Sequence, residues 1–181
     1  MRRLAAIATV LLLMSLALAQ PDKSKRPSPA GTADVTLSGK KVTIDYSRPH
    51  THDPQSGQQR RMIGDHEPYG QVWRLGANEA TALKTEADLG IGGTAVPAGS
   101  YTLFALPEQG KMTLIVSKKT GEWGTPYPGE QFDLARIPMK LTTGNSPVEQ
   151  FTASFDKTSD SSATLNFAWE DWKASVPVKA K

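Results

Sequence analysis

The residues best able to do chemistry lie in one segment, Glu67-Pro68-Tyr69-Gly70-Gln71-Val72-Trp73-Arg74-Leu75-Gly76-Ala77-Asn78-Glu79-Ala80-Thr81. Arg74 offers a rigid planar fork of donors that grips carboxylates or phosphates. Tyr69 and Trp73 offer flat faces on which a sugar or another ring can stack. Asn78 adds an amide and Glu79 a carboxylate. Tyr69, Trp73, Arg74, Asn78 and Glu79 therefore form a candidate site for a small polar ligand or a glycan. Gly76 permits a sharp bend between Arg74 and Glu79, so the two side chains can converge. The same residues also suit a scaffold, with Arg74 and Glu79 paired to brace an irregular loop and Trp73 in the core.

All three histidines, His50, His52 and His66, lie close together among Asp53, Asp65 and Glu67. Histidines at i and i+2 face the same way on an extended chain, and imidazole suits zinc or copper. Their spacing matches no established zinc pattern, and Pro68 after Glu67 excludes the helical His-Glu-x-x-His arrangement. The plainer reading is a solvated polar loop, with no structural metal and no cofactor.

Other chemistries leave no trace. There is no Gly-x-Ser-x-Gly, no cysteine, no phosphate-binding glycine loop and no dinucleotide fingerprint. A hydrolase working through carboxylates stays open, with Glu79 or Glu67 as acid or base. Trp123-Gly124-Thr125-Pro126-Tyr127 is a second aromatic cluster, suited either to line a pocket or to cover one end of the fold.

The elements that must position these residues read as strands. Val35 and Leu37 alternate with polar neighbours, Ser38-Gly39 turns the chain, and Val42, Ile44 and Tyr46 resume the alternation. Ala80–Leu89 follows, and Tyr101–Leu106 with Met112–Val116 makes the clearest hairpin around Gln109-Gly110. Leu134–Leu141, Val148–Phe155, Ala163–Trp169 and Trp172–Val178 are each of strand length. No segment sustains helical apolar spacing. The pattern predicts an all-β fold, a single antiparallel β-sandwich with a jelly-roll-like form as one option. Two stretches, 49–78 and 122–133, read as long irregular loops.

The ends and the charge bound the setting. Arg2-Arg3, the apolar run Leu4–Leu18 and Ala17-Leu18-Ala19 predict a signal peptide over residues 1–19. Residues 20–32 are rich in Pro, Ser and Lys and predict a disordered leader, with the domain spanning 33–181. The 21 basic and 18 acidic residues give a net charge of +3. Two of those positive charges leave with the signal, so no basic face for nucleic acid is implied. A periplasmic or secreted protein without cysteine has no disulfides and depends on its core.

Tyr46-Ser47-Arg48-Pro49, Arg61-Met62-Ile63-Gly64 and the run from Pro68 to Thr81 resemble an uncharacterised bacterial family, domain of unknown function 2911 (DUF2911). Pro97-Ala98-Gly99-Ser100-Tyr101-Thr102-Leu103-Phe104, Trp123-Gly124 and the closing strand around Trp169 extend the resemblance over nearly the whole chain from Ala33. It implies an exported β-rich domain and carries no activity with it. The link from His50 to Arg60 is longer than the family's, so a histidine site would be peculiar to this chain. The leading expectation is a binding module for a small polar ligand or glycan. It has no nucleic-acid partner, and it meets a membrane only through its signal peptide before cleavage. A carboxylate hydrolase and a structural or interaction domain without a pocket are the alternatives.

Overall fold

A computed structural model describes residues 26–181. The expected signal peptide and residues 20–25 of the expected leader lie outside the described residues. Nine strands follow in chain order: β1 (Ala30–Leu37), β2 (Lys40–Ser47), β3 (Thr81–Thr85), β4 (Leu89–Ile91), β5 (Thr94–Val96), β6 (Gly99–Glu108), β7 (Lys111–Ser117), β8 (Asp133–Lys157) and β9 (Ser162–Ala180). A single 3-10 turn at Glu130–Phe132 is the one helical feature among the described residues. The all-β expectation holds, and the strands form one antiparallel sheet in the order β1-β2-β3-β6-β7-β8-β9-β4-β5.

Side-chain alternation explains the first strands. Ala33, Val35 and Leu37 of β1 and Val42, Ile44 and Tyr46 of β2 are buried, while Asp34, Thr36, Thr43 and Asp45 between them are more exposed. Ser38 and Gly39 make the two-residue turn at φ 49 and 76, which suits the twist of a tight hairpin. β1 starts at Ala30, three residues before the expected start of order. Ala30-Gly31-Thr32 has no apolar pattern, but it pairs with Ser47, Tyr46 and Asp45. A Cβ on Gly31 would come within 2.6 Å of Arg48 Cδ, so a larger residue there would displace the Arg48 side chain.

β6 is buried from Tyr101 to Ala105 on both faces. Its outward face is covered by the 122–132 loop, where Tyr127 meets Phe104 edge-on at 5.2 Å. The four C-terminal strands read from sequence merge into two. β8 runs 25 residues through Gly144, and β9 runs 19 residues through Glu170, which adopts φ 53. The first part of β8 pairs with β7 and the remainder with β9.

The sheet doubles over, so β1 and β2 lie against β8 and β9, which are not their neighbours in it. Tyr46 of β2 donates its hydroxyl to the Ala153 carbonyl at 3.4 Å and meets Phe151 edge-on at 5.8 Å. Trp73 fills the centre, stacked on Trp169 at 5.5 Å and edge-on to Phe151 at 5.2 Å and Trp172 at 6.5 Å. Its backbone exchanges two hydrogen bonds with Ala105 of β6, at 2.7 and 2.8 Å, which tie the first irregular stretch to the sheet.

Candidate functional site

The site begins at an irregularity in β8. Register against β9 shifts between Thr143 and Val148 and again before Thr152, so several β8 residues lose their β9 partners. Unpaired backbone polar groups must find other bonds. Here the chain at 49–51 supplies them: Phe151 N donates to Pro49 O, and Thr51 N donates to Glu149 O, each at 2.9 Å. Arg60 braces the loop beyond by donating to the carbonyls of His50 at 2.9 Å and Thr51 at 3.4 Å, and it pairs with Asp53 at 3.4 Å. The Asp53 carboxylate also accepts the amides of Gln55 and Ser56, and these bonds, Ser56's first, hold its pKa below the usual value.

Between this loop, the start of β7 and the middle of β8 and β9 runs a groove of about 1030 Å³. Tyr69, 40% exposed, stands on its wall, with its ring over Gly64, where a Cβ would come within 3.0 Å. The Gly70 amide bonds to Pro107 O at 2.8 Å and holds that part of the loop beside the β6–β7 turn. The Glu170 carboxylate accepts the amides of Met62 at 2.7 Å and Ile63 at 3.1 Å and seats them against β9. Ile63, Met112, Leu141 and Trp172 make the apolar part of the lining. Arg61, Lys111, Glu108 and Asp171 also line it and form no ion pair among the described residues.

One wall carries His52, the one histidine in the lining. His52 Nδ1 lies 2.8 Å from Glu149 Oε2, and the His52 amide donates to Glu149 Oε1 at 3.0 Å. The Thr51 hydroxyl donates to Oε2 as well, and His50 Nδ1 stands 3.7 Å from Oε1. Desolvation acts to raise the Glu149 pKa, but the bonds from Thr51 and His52 and the nearby imidazole outweigh it and hold the carboxyl down at about 2. Gln150 Nε2 lies 3.0 Å from His50 Nε2. His66 is exposed and does not line the groove. Among the described residues no group of three or more His, Cys, Asp or Glu side chains is arranged to hold a metal ion.

Of the five ligand candidates read from sequence, Tyr69 lines the groove and four lie elsewhere. Trp73 is 2% exposed, its ring enclosed by other aromatics and its Nε1 donating to Gly76 O at 3.0 Å. Arg74 donates to Asn78 O at 2.8 Å and lies 5.7 Å from the centre of the Trp123 ring, which is 55% exposed. Asn78 donates to Ser28 O at 2.9 Å and Ser47 Oγ at 3.3 Å. Glu79 pairs with Arg26 at 2.8 Å, so its charge meets the N-terminal segment rather than Arg74. Glu67, the other carboxylate considered, is half-buried. Desolvation pushes its carboxyl up to about 7 against the opposing pull of Arg74.

Sequence reasoning missed Glu149, Arg61, Lys111 and Trp172. No local pattern marks them, because the groove forms only when β8 and β9 meet the 49–70 loop. The available signal was the long His50–Arg60 link, which had to pack against something.

No curated protein and no solved structure matches the chain. The model of one family, described as "Protein of unknown function (DUF2911)", matches residues 28–178. That match runs from before β1 to Val178 in β9 and takes in every wall of the groove, so the chain belongs to the DUF2911 family.

Proposed function

We propose that this protein is an exported binding module whose groove holds a small polar ligand or a glycan. The observation that carries this reading is the lining. An aromatic face at Tyr69 and an apolar floor at Met112 and Trp172 stand beside two unpaired cations and two unpaired anions. A balanced set of donors and acceptors beside an aromatic platform suits a neutral, polyhydroxylated molecule better than a strongly charged one. Export follows from Arg2-Arg3, the apolar run and cleavage after Ala19, which leaves a chain beginning at Gln20.

The test is a thermal-shift screen of the purified protein against oligosaccharides, amino acids and sugar acids. A ligand at about 100 times its Kd stabilises by about 2.7 kcal/mol. For a chain of this size that raises Tm by roughly 5–10 °C. Tyr69→Ala removes a solvent-facing ring, so the fold should survive while the ligand-induced shift shrinks. A panel with no shift, or a shift unchanged in Tyr69→Ala, overturns the reading.

A further inference from the structure

We propose that Glu149 and His52 form a carboxylate–imidazole dyad that activates water against a carboxylic ester held in the groove. The inference rests on the groove as a ligand site but not on the ligand being a glycan.

The bonding around the ring fixes its chemistry. An ionised carboxylate only accepts, so the His52 nitrogen 2.8 Å from Glu149 Oε2 carries the proton. The other nitrogen, Nε2, is left with its lone pair. It has no hydrogen-bond partner among the described residues, and the side chain, 52% exposed, lines the groove. Glu149 is itself immobilised by the Thr51 hydroxyl and the His52 amide. A carboxylate fixed in this way holds the imidazole in one tautomer and stabilises the imidazolium that forms during proton transfer. The neighbouring titratable and charged groups include His50, whose Nδ1 stands 3.7 Å from the same carboxylate, and Arg60 and Asp53, which pair with each other.

The remaining histidines lack this arrangement. Gln150 donates to His50 Nε2, so that lone pair is occupied. His66 lies outside the groove lining. The substrate class follows from the other walls. Arg61 and Lys111 can receive negative charge developing on a carbonyl oxygen. Met112, Leu141 and Trp172 can receive a short acyl chain.

The step balances. His52 Nε2 takes a proton from water as the water oxygen bonds to the ester carbonyl carbon. The tetrahedral adduct then breaks its bond to the alcohol oxygen, and the imidazolium returns the proton to that oxygen. One water is consumed, and a carboxylic acid and an alcohol leave.

The test uses p-nitrophenyl acetate and the purified protein. The protein should hydrolyse it faster than an equal concentration of free imidazole, with the rate falling on acidification. His52→Ala should lower that rate about 100-fold, in the range of a positioned general base. Glu149 acts through His52. Glu149→Gln should lower the rate roughly 10- to 100-fold and move the rate–pH curve to lower pH, with partial rescue by Glu149→Asp. His66→Ala should leave the rate unchanged. A rate no greater than that of imidazole, or one unaltered in His52→Ala or Glu149→Gln, overturns the dyad. If Glu149→Gln fails to fold, His52→Ala decides alone, because its ring is more than half exposed. Loss of the dyad would leave the thermal-shift result with Tyr69 untouched.

Discussion

The Glu67 carboxyl gives the sharpest quantitative handle on the fold. Its backbone is fixed in a tight turn, with its amide donating to Met62 O at 2.8 Å and its carbonyl accepting from Gly64 N at 2.9 Å. The side chain is half-buried, and desolvation lifts the pKa from 4.5 to about 7 despite the Arg74 charge. The folded state therefore holds its proton more tightly than the unfolded chain. Below 4.5 the carboxyl is neutral in both states and costs nothing. As pH rises through that value the unfolded chain ionises first, and stability is lost progressively until the folded carboxyl also ionises at about 7. The difference of roughly 2.5, at about 1.4 kcal/mol each, comes to about 3.5 kcal/mol, or up to about 3 kcal/mol once discounted for the part of the side chain left in water. Glu67→Gln keeps the shape of the neutral acid and does not titrate. Urea denaturation should find the two proteins within about 0.5 kcal/mol near pH 4. Above pH 8 the variant should be the more stable by up to about 3 kcal/mol. A difference independent of pH, or a variant weaker than the parent in alkali, would refute the burial argument.

Three other perturbations follow from the packing. Trp73→Ala should cost about 3–5 kcal/mol in chemical denaturation, because it empties the space enclosed by Trp169, Phe151 and Trp172. Gly124→Ala places a Cβ 2.7 Å from Ala80 Cβ and 2.9 Å from Arg74 Cβ at φ 87, and should cost about 1–3 kcal/mol. Gly121→Ala meets open space at φ 76 and should cost about 1 kcal/mol, so equal losses at the two glycines would contradict the close approach at Gly124. Arg74→Ala should cost about 1 kcal/mol and Glu79→Gln less. Since Arg74 binds the Asn78 carbonyl and Glu79 binds Arg26, their double variant should be additive to within about 0.5 kcal/mol, and a larger coupling would restore the Arg74–Glu79 pair.

What could be read from sequence was local. The alternation of Val35, Leu37, Val42, Ile44 and Tyr46 and the Ser38-Gly39 turn sufficed for the first hairpin, because strand periodicity and turn chemistry act over a few residues. The family resemblance was legible for a similar reason, in contiguous strings such as Trp73-Arg74-Leu75-Gly76-Ala77-Asn78. The fate of Trp73 was not, since an indole serves as platform or core, and its neighbours Phe151, Trp169 and Trp172 lie far along the chain. Gly144-Asn145 has the composition of a hairpin turn, yet the chain continues as one strand because β9 pairs with it on both sides of that dipeptide. Tyr69 was the one ligand candidate placed in the groove, and His52 the one histidine. Glu149 escaped notice because only long-range pairing brings it to His52.

β8 has a consequence for how this protein comes apart. One continuous strand contributes its first residues to β7 and its last to β9. Neither half of the sheet can then dissociate while the other keeps a complete edge, so the usual division into independently opening units is denied to it. Amide exchange along Leu134–Ile137 and Ala153–Phe155 should slow to a common rate set by global unfolding. The β4–β5 corner, attached to the rest of the sheet only through the far end of β9, should exchange first. The same arrangement requires residues remote in sequence to meet before either half is complete, which places the chain among slow, high-contact-order folders.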